Sequence, residues 1–194
     1  MYLKYGISNS FTLDSTLIPD FGQVTFDDEE LNLSPFEQEF DENRAFFTEG
    51  ASLFKKADGG GSGRSGNFFY SRRIGEEISF NENDFLNNNE TLIGYDLKPD
   101  LINSIKLTGT TNSGLSIGLI NSITNSAYSR VKNEQTNEFR KEKIAPLTNY
   151  NIITLTQQVL NEFSTLTFSN SNVKRSGFKF KNSNFIKPLA GESL

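Results

Sequence analysis

The chain has 194 residues, with 19 basic and 24 acidic side chains (net −5) and no Cys, His or Trp. This length fits one domain, at most two. The missing residues exclude disulfide frameworks, Cys/His zinc sites and Ser-His or Cys-His catalysis, and the charge leaves no broad cationic surface for nucleic acid.

Hydrophobic residues make up 35% of the chain, yet 18 Phe are present beside 22 Asn, 21 Ser and 15 Thr. That is too aromatic for disorder and too poor in aliphatics for a helical globule. No apolar run is long enough for a transmembrane helix, and the start Met-Tyr-Leu-Lys-Tyr-Gly lacks a signal-peptide pattern. A membrane-crossing β-strand needs only about 9–11 alternating residues.

From Lys4 to Leu17 the residues alternate. Tyr5, Ile7, Asn9, Phe11, Leu13, Ser15 and Leu17 fall on one, mainly apolar face, and Lys4, Gly6, Ser8, Ser10, Thr12, Asp14 and Thr16 on the other. Period-two patterning of this length predicts one long strand, better suited to a barrel stave than to a small sandwich. Pro19-Asp20-Phe21-Gly22 ends it. The acidic run Asp27-Asp28-Glu29-Glu30 follows. It reads as a solvated stretch near a helix start rather than a calcium site, because it lacks EF-hand spacing. Ser34, Pro35 and Glu37 form a capping signature for a short helix from Pro35 to about Phe40.

Gly61-Ser62-Gly63-Arg64-Ser65-Gly66 fits G-x-G-x-x-G, but no strand precedes it and no helix follows, so it reads as a flexible loop. Asn67–Ile74 reads as a strand. Its neighbours Arg72 and Arg73 then face opposite sides, and one forms a lumenal ion pair with Asp27, Asp28, Glu49 or another acid between them. The six Asn and Asp residues of Asn81–Glu90 read as turn formers rather than a sugar site. Leu101–Thr124 predicts a hairpin turning at Thr111-Asn112-Ser113-Gly114. Asn125–Pro146 reads as a long polar loop. Leu147–Leu160 and Ser164–Ser169 predict a second hairpin, and Phe178 and Phe180 a further strand.

Short turns then alternate with long connections, as in outer-membrane barrels. The expected fold is all-β: antiparallel up-and-down strands forming part of an outer-membrane β-barrel with a plug-like, helix-containing segment. The strand is placed at 1–17, a periplasmic or lumenal segment at 18–66, and further strands and loops at 67–194. Six or seven strands fall short of the smallest barrels, so the chain is expected to be part of one domain, truncated at both ends.

Several motifs occur in order: Leu3-Lys4-Tyr5-Gly6-Ile7, Pro19-Asp20-Phe21-Gly22-Gln23-Val24, Asn32-Leu33-Ser34-Pro35-Phe36-Glu37, Arg44-Ala45-Phe46-Phe47-Thr48-Glu49-Gly50, Phe69-Tyr70-Ser71-Arg72-Arg73-Ile74-Gly75 and Lys106-Leu107-Thr108-Gly109. Together, over roughly Leu3 to Thr167, they resemble an uncharacterised family of Gram-negative outer-membrane β-barrel proteins. Members of that family look like a signal peptide, a family-nine-type carbohydrate-binding module and then this barrel. The sequence departs from the pattern at Ala45, where members often carry Pro, and in the glycine-rich insert.

The resemblance implies outer-membrane localisation and a transport, channel or substrate-docking role, saccharide-related. It transfers no catalytic, cofactor-binding or metal residue, and no enzyme activity is expected. Tyr5, Ile7, Phe11, Leu13 and Leu17 are expected to face lipid. The expected partners are outer-membrane lipid, an oligosaccharide and the missing remainder of the barrel. The competing reading is a soluble, secreted β-sandwich-like domain that binds carbohydrate, its apolar faces closed against a second sheet.

Overall fold

Two antiparallel sheets carry most of the described residues of the computed structural model, which are 2–17, 42–54, 69–76, 78, 85–95, 98–160 and 164–177. The strands in chain order are β1 (Tyr2–Ser8), β2 (Phe11–Leu17), β3 (Glu90–Tyr95), β4 (Leu101–Thr110), β5 (Leu115–Thr124), β6 (Ala127–Asn133), β7 (Phe139–Ala145), β8 (Thr148–Gln158) and β9 (Thr165–Arg175). The larger sheet has the order β1-β2-β4-β5-β8-β9, and the smaller β3-β6-β7. Among the described residues the larger sheet is open, with β1 and β9 at its edges.

The mostly-β expectation and both expected hairpins hold. β4 and β5 pair around the turn at Thr111–Gly114, where the Gly114 amide donates to the Thr111 carbonyl at 3.0 Å. β8 pairs along its whole length with β9, which continues to Arg175, beyond the expected end.

Three expectations change. The stave from Lys4 to Leu17 is a hairpin turned at Asn9–Ser10. The pair at the turn, Ser8↔Phe11, has unlike parity, but a register shift between Gly6 and Ser8 gives like parity to the rest, such as Gly6↔Thr12 and Lys4↔Asp14. The irregularity thus restores the phase of the alternation beyond the turn, and period alone does not reveal the reversal. The turn also brings the 18–100 connection to the same end of the sheet as the 125–147 connection, since Leu17 pairs with Asn103 beside Leu101↔Thr124.

The expected loop at 125–146 is the hairpin of β6 and β7. Its buried positions Ala127, Ser129 and Val131 are small, and its outward ones are charged or aromatic, so the alternation contrasts size with charge rather than apolar with polar. The core beneath it is completed by Phe85, wholly buried and far upstream in the chain. Finally, Arg72 and Arg73 lie in a 3-10 turn, Ser71–Arg73, not in a strand. The helix expected at Pro35–Phe40, the acidic run, the glycine-rich loop and the strand at Phe178 lie outside the described residues.

The larger sheet has one covered and one open face. Helix α1 (Ala45–Thr48), a 3-10 turn (Ala51–Phe54) and Ile74 cover the first, where Phe46, Phe47, Phe54 and Ile74 pack on Ile120, Tyr150 and Ile152. Gly118 admits this cover: a Cβ there would stand 2.8 Å from the Phe54 ring. Gly6, on β1, has nothing within 4 Å of an added Cβ. Gly118→Val is expected to lift Phe54 off the sheet and lower stability by about 1–3 kcal/mol, the usual cost of overpacking. Gly6→Ala should stay within about 0.5 kcal/mol. Chemical denaturation of the two variants side by side checks both.

Candidate functional site

The covered face sets polar and small side chains beside the apolar Leu101, Ile120, Tyr150 and Ile152. Asp14, Thr16, Ser104, Lys106, Ser122, Thr124 and Thr154 are all buried there. Small hydroxyls at alternate positions leave room for the cover, and the Ser104 and Ser122 hydroxyls bond each other across the strands at 2.5 Å.

Lys106 is the hub. It is 0% exposed. Its ammonium donates to the Phe46 carbonyl at 2.5 Å and to the Glu49 carbonyl at 2.9 Å. Asp14 lies 3.4 Å from the same nitrogen, and the Phe46 ring centroid 4.9 Å. The lysine thus grips the C-terminal end of α1, where carbonyls lack helical partners. Glu49, an expected lumenal ion-pair candidate, accepts from Lys4 at 2.6 Å rather than from Arg72 or Arg73.

A second clamp holds the two covering segments together. Arg44 donates to both Glu42 carboxylate oxygens, at 2.8 and 2.7 Å, to the Ile74 carbonyl at 2.7 Å and to the Ser71 carbonyl at 2.8 Å. Its guanidinium lies 4.3 Å over the Phe47 ring. Burial pushes the Glu42 carboxyl up, but the bonds from Arg44 and Ser71 outweigh it and hold the group below the usual carboxylate range. The fork geometry of arginine suits this bidentate role.

A third cluster ties the smaller sheet. Arg140 donates to Glu90 at 2.8 and 3.1 Å, to the Phe85 carbonyl at 2.6 Å and to the Glu142 carboxylate. The Arg140 bond holds the Glu90 carboxyl down at about 2, with further help from Asn87. Asn87 bonds Glu90 through its backbone and side chain, and Asn89 has φ 66°, so these asparagines do turn chemistry as expected.

The open face carries the other set. Tyr5 is 61% and Ile7 54% exposed, while Phe11 and Leu13 are half-buried on the same side. Leu17 pairs with Asn103 at the end of β2. Two cross-strand rows are mostly apolar: Tyr5, Leu13, Leu107, Leu119 and Ile153, ending in Asn170, then Phe11, Gly109, Ile117, Leu155 and Phe168, starting from Ser8. Nearer the long connections the rows turn to asparagine. Asn121 donates to Asn149 at 2.8 Å and to Asn151 at 2.7 Å.

Of the expected ion-pair residues, Asp27 and Asp28 lie outside the described residues, and Arg72 and Arg73 share the 3-10 turn. The groups that sequence reasoning missed are Lys106, Asp14, Arg44 and Glu42. A cue for the first was a lone lysine alternating with Ile105 and Leu107 on a face otherwise made of Ser and Thr. Among the described residues no group of three or more acids gathers at metal-binding distance.

A family model described as "Domain of unknown function (DUF5916)" matches residues 1–187. No curated protein and no solved structure matches the chain.

Two outcomes follow from this geometry. Lys106→Met removes the buried ammonium beside Asp14 and should destabilise by about 3–5 kcal/mol, as broken buried pairs do. Adding Asp14→Asn should recover part of that loss in denaturant titrations. Glu90 titrates lower in the folded chain than its usual value of 4.5. Its stabilising contribution is therefore complete above about pH 4.5 and disappears as pH falls towards about 2. Glu90→Gln should abolish that acid-sensitive component, seen as a flatter pH profile of amide exchange in β3.

Proposed function

The chain belongs to this family of unknown function, and we propose that it is a segment of an outer-membrane β-barrel that passes or docks a substrate. The supporting observation is that the larger sheet leaves a largely apolar face open while burying a charged pair and a set of hydroxyls beside Ile120, Tyr150 and Ile152 on the other. A one-sided sheet in a soluble domain turns its apolar face to the core and its polar face to water. Here Leu166 is 68% and Phe168 59% exposed, while Lys106 is 0% and Asp14 1% exposed. A barrel in lipid calls for that arrangement: apolar outside, polar within.

Two further features agree with it. β4, β5, β8 and β9 have 10, 10, 11 and 11 residues, against the roughly 9–11 that a tilted strand needs to cross a bilayer. The short turns at Asn9–Ser10, Thr111–Gly114 and 159–164 share one end of the sheet, and the long connections 18–100 and 125–147 share the other. By the short-inside rule the turns are periplasmic and the smaller sheet lies outside the cell. The cover of α1, the Ala51–Phe54 turn and Ile74 then sits in the lumen, and further strands beyond β1 and β9 close the barrel.

Where it is only half-buried, at Thr12, Ser116, Thr156, Thr167 and Ser169, the polar inner face is the surface a substrate meets. Its hydroxyls suit a hydroxyl-rich ligand such as an oligosaccharide, and no residue is assigned a catalytic role. Leu13→Arg tests the reading in the protein as it occurs in its membrane. An arginine at mid-bilayer depth costs about 2–4 kcal/mol, so the variant should drop out of the detergent-extractable membrane fraction. In a soluble sandwich-like carbohydrate-binding domain the protein needs no detergent; free solubility of the unmodified protein would rule the barrel out.

A further inference from the structure

The smaller sheet also has two unlike faces. Leu92, Val131 and Ile144 pack with Phe85 on one. The other carries Tyr128, Arg130 and Lys132 from β6 with Phe139 and Lys141 from β7, and Tyr128 and Phe139 are 44% and 58% exposed. Register sets Arg130 opposite Lys141 and Lys132 opposite Phe139. Each cation leans diagonally onto a ring: Lys141 lies 4.2 Å from the Tyr128 centroid and Arg130 5.6 Å from that of Phe139. Lys132 pairs with Glu134 at 2.9 Å. Among the described residues neither Arg130 nor Lys141 has a carboxylate within ion-pair distance.

In a chain of net charge −5 this is a local reversal of sign. Two cations opposite each other would repel; the aromatic faces hold them in place instead. Exposed rings with adjoining ammonium and guanidinium groups match an interface that is apolar on one side and anionic on the other. We propose that this face seats on the phosphate groups of outer-leaflet lipids. The proposal rests on the barrel reading, which sets the smaller sheet at the outer end, past the asparagine rows of the open face.

The chain has no Trp, so Tyr128→Trp installs a single indole reporter that keeps the cation–ring contact. The protein is inserted into phosphatidylcholine vesicles, with and without a minority of phosphatidylglycerol. Indole emission should shift to the blue, and be quenched by headgroup-labelled lipid, only in the anionic vesicles. Salt at 1 M, where the Debye length is about 3 Å, should reverse this. Arg130→Gln with Lys141→Gln should lower the ratio of seated to free hairpin roughly 30-fold, at about 1 kcal/mol per charge near an anionic surface.

Equal emission in both vesicles overturns the proposal. So does a larger response to soluble polygalacturonate than to phosphatidylglycerol, which assigns the face to an acidic saccharide. Retention in carbonate-washed neutral vesicles reports on the barrel separately. Protein retained there with an unresponsive indole overturns the lipid contact alone. Protein washed from neutral vesicles but held by anionic ones through Arg130 and Lys141 overturns the barrel and supports the contact.

Discussion

The burial of one ammonium group organises the larger sheet. Lys106 sits on a central strand with no exposure, so its charge needs partners inside the protein. It finds them on both sides: Asp14 from the adjacent strand β2, and the Phe46 and Glu49 carbonyls from the covering segment. One side chain thus fixes the β2–β4 pairing and the seat of α1 together. The four-residue helix has no side-chain cap of its own and is too short to persist alone. Tertiary contact holds it, through the lysine at one end and Arg44 at the other.

That grip explains why the covered face is polar yet closed. Phe46, Phe47 and Phe54 add apolar area to that of Leu101, Ile120, Tyr150 and Ile152, over a floor otherwise made of Ser, Thr and Gly. Aromatics on the cover and small residues on the sheet are complementary shapes: Gly118 is a glycine because Phe54 lies on it. Leu101, Ile120 and Ile152 join the core, while Leu107, Ile117, Leu119, Ile153 and Leu155 of β4, β5 and β8 stand on the opposite face. The burial of the polar groups on the covered face therefore depends on the cover being in place.

The smaller sheet solves a different problem. Its strands are short and charged, and its core is small, centred on Phe85, Val131 and Ile144. Arg140 draws β7, β3 and the Phe85 backbone together with charge-assisted bonds, the stronger class of hydrogen bond. Polar ties stand in for apolar area at this end of the molecule, whereas the larger sheet relies on aromatic packing.

Residues by themselves determined the β class, the β4–β5 and β8–β9 hairpins, and that Tyr5 shares a face with Leu13, and Lys4 with Asp14. These follow from period two and turn chemistry, which are local. The reversal at Asn9–Ser10 was not legible, because the register shift between Gly6 and Ser8 puts the two arms of the hairpin in the same phase of alternation. The β6–β7 hairpin was hidden by its charged outer positions, and its core residue Phe85 comes from far upstream. Lys106, Asp14 and Arg44 read as ordinary polar residues until folding brought backbone carbonyls and carboxylates to them. Only tertiary structure decided which face is buried, since alternation marks two faces without stating which one meets the cover, and burial is settled by segments distant in the chain.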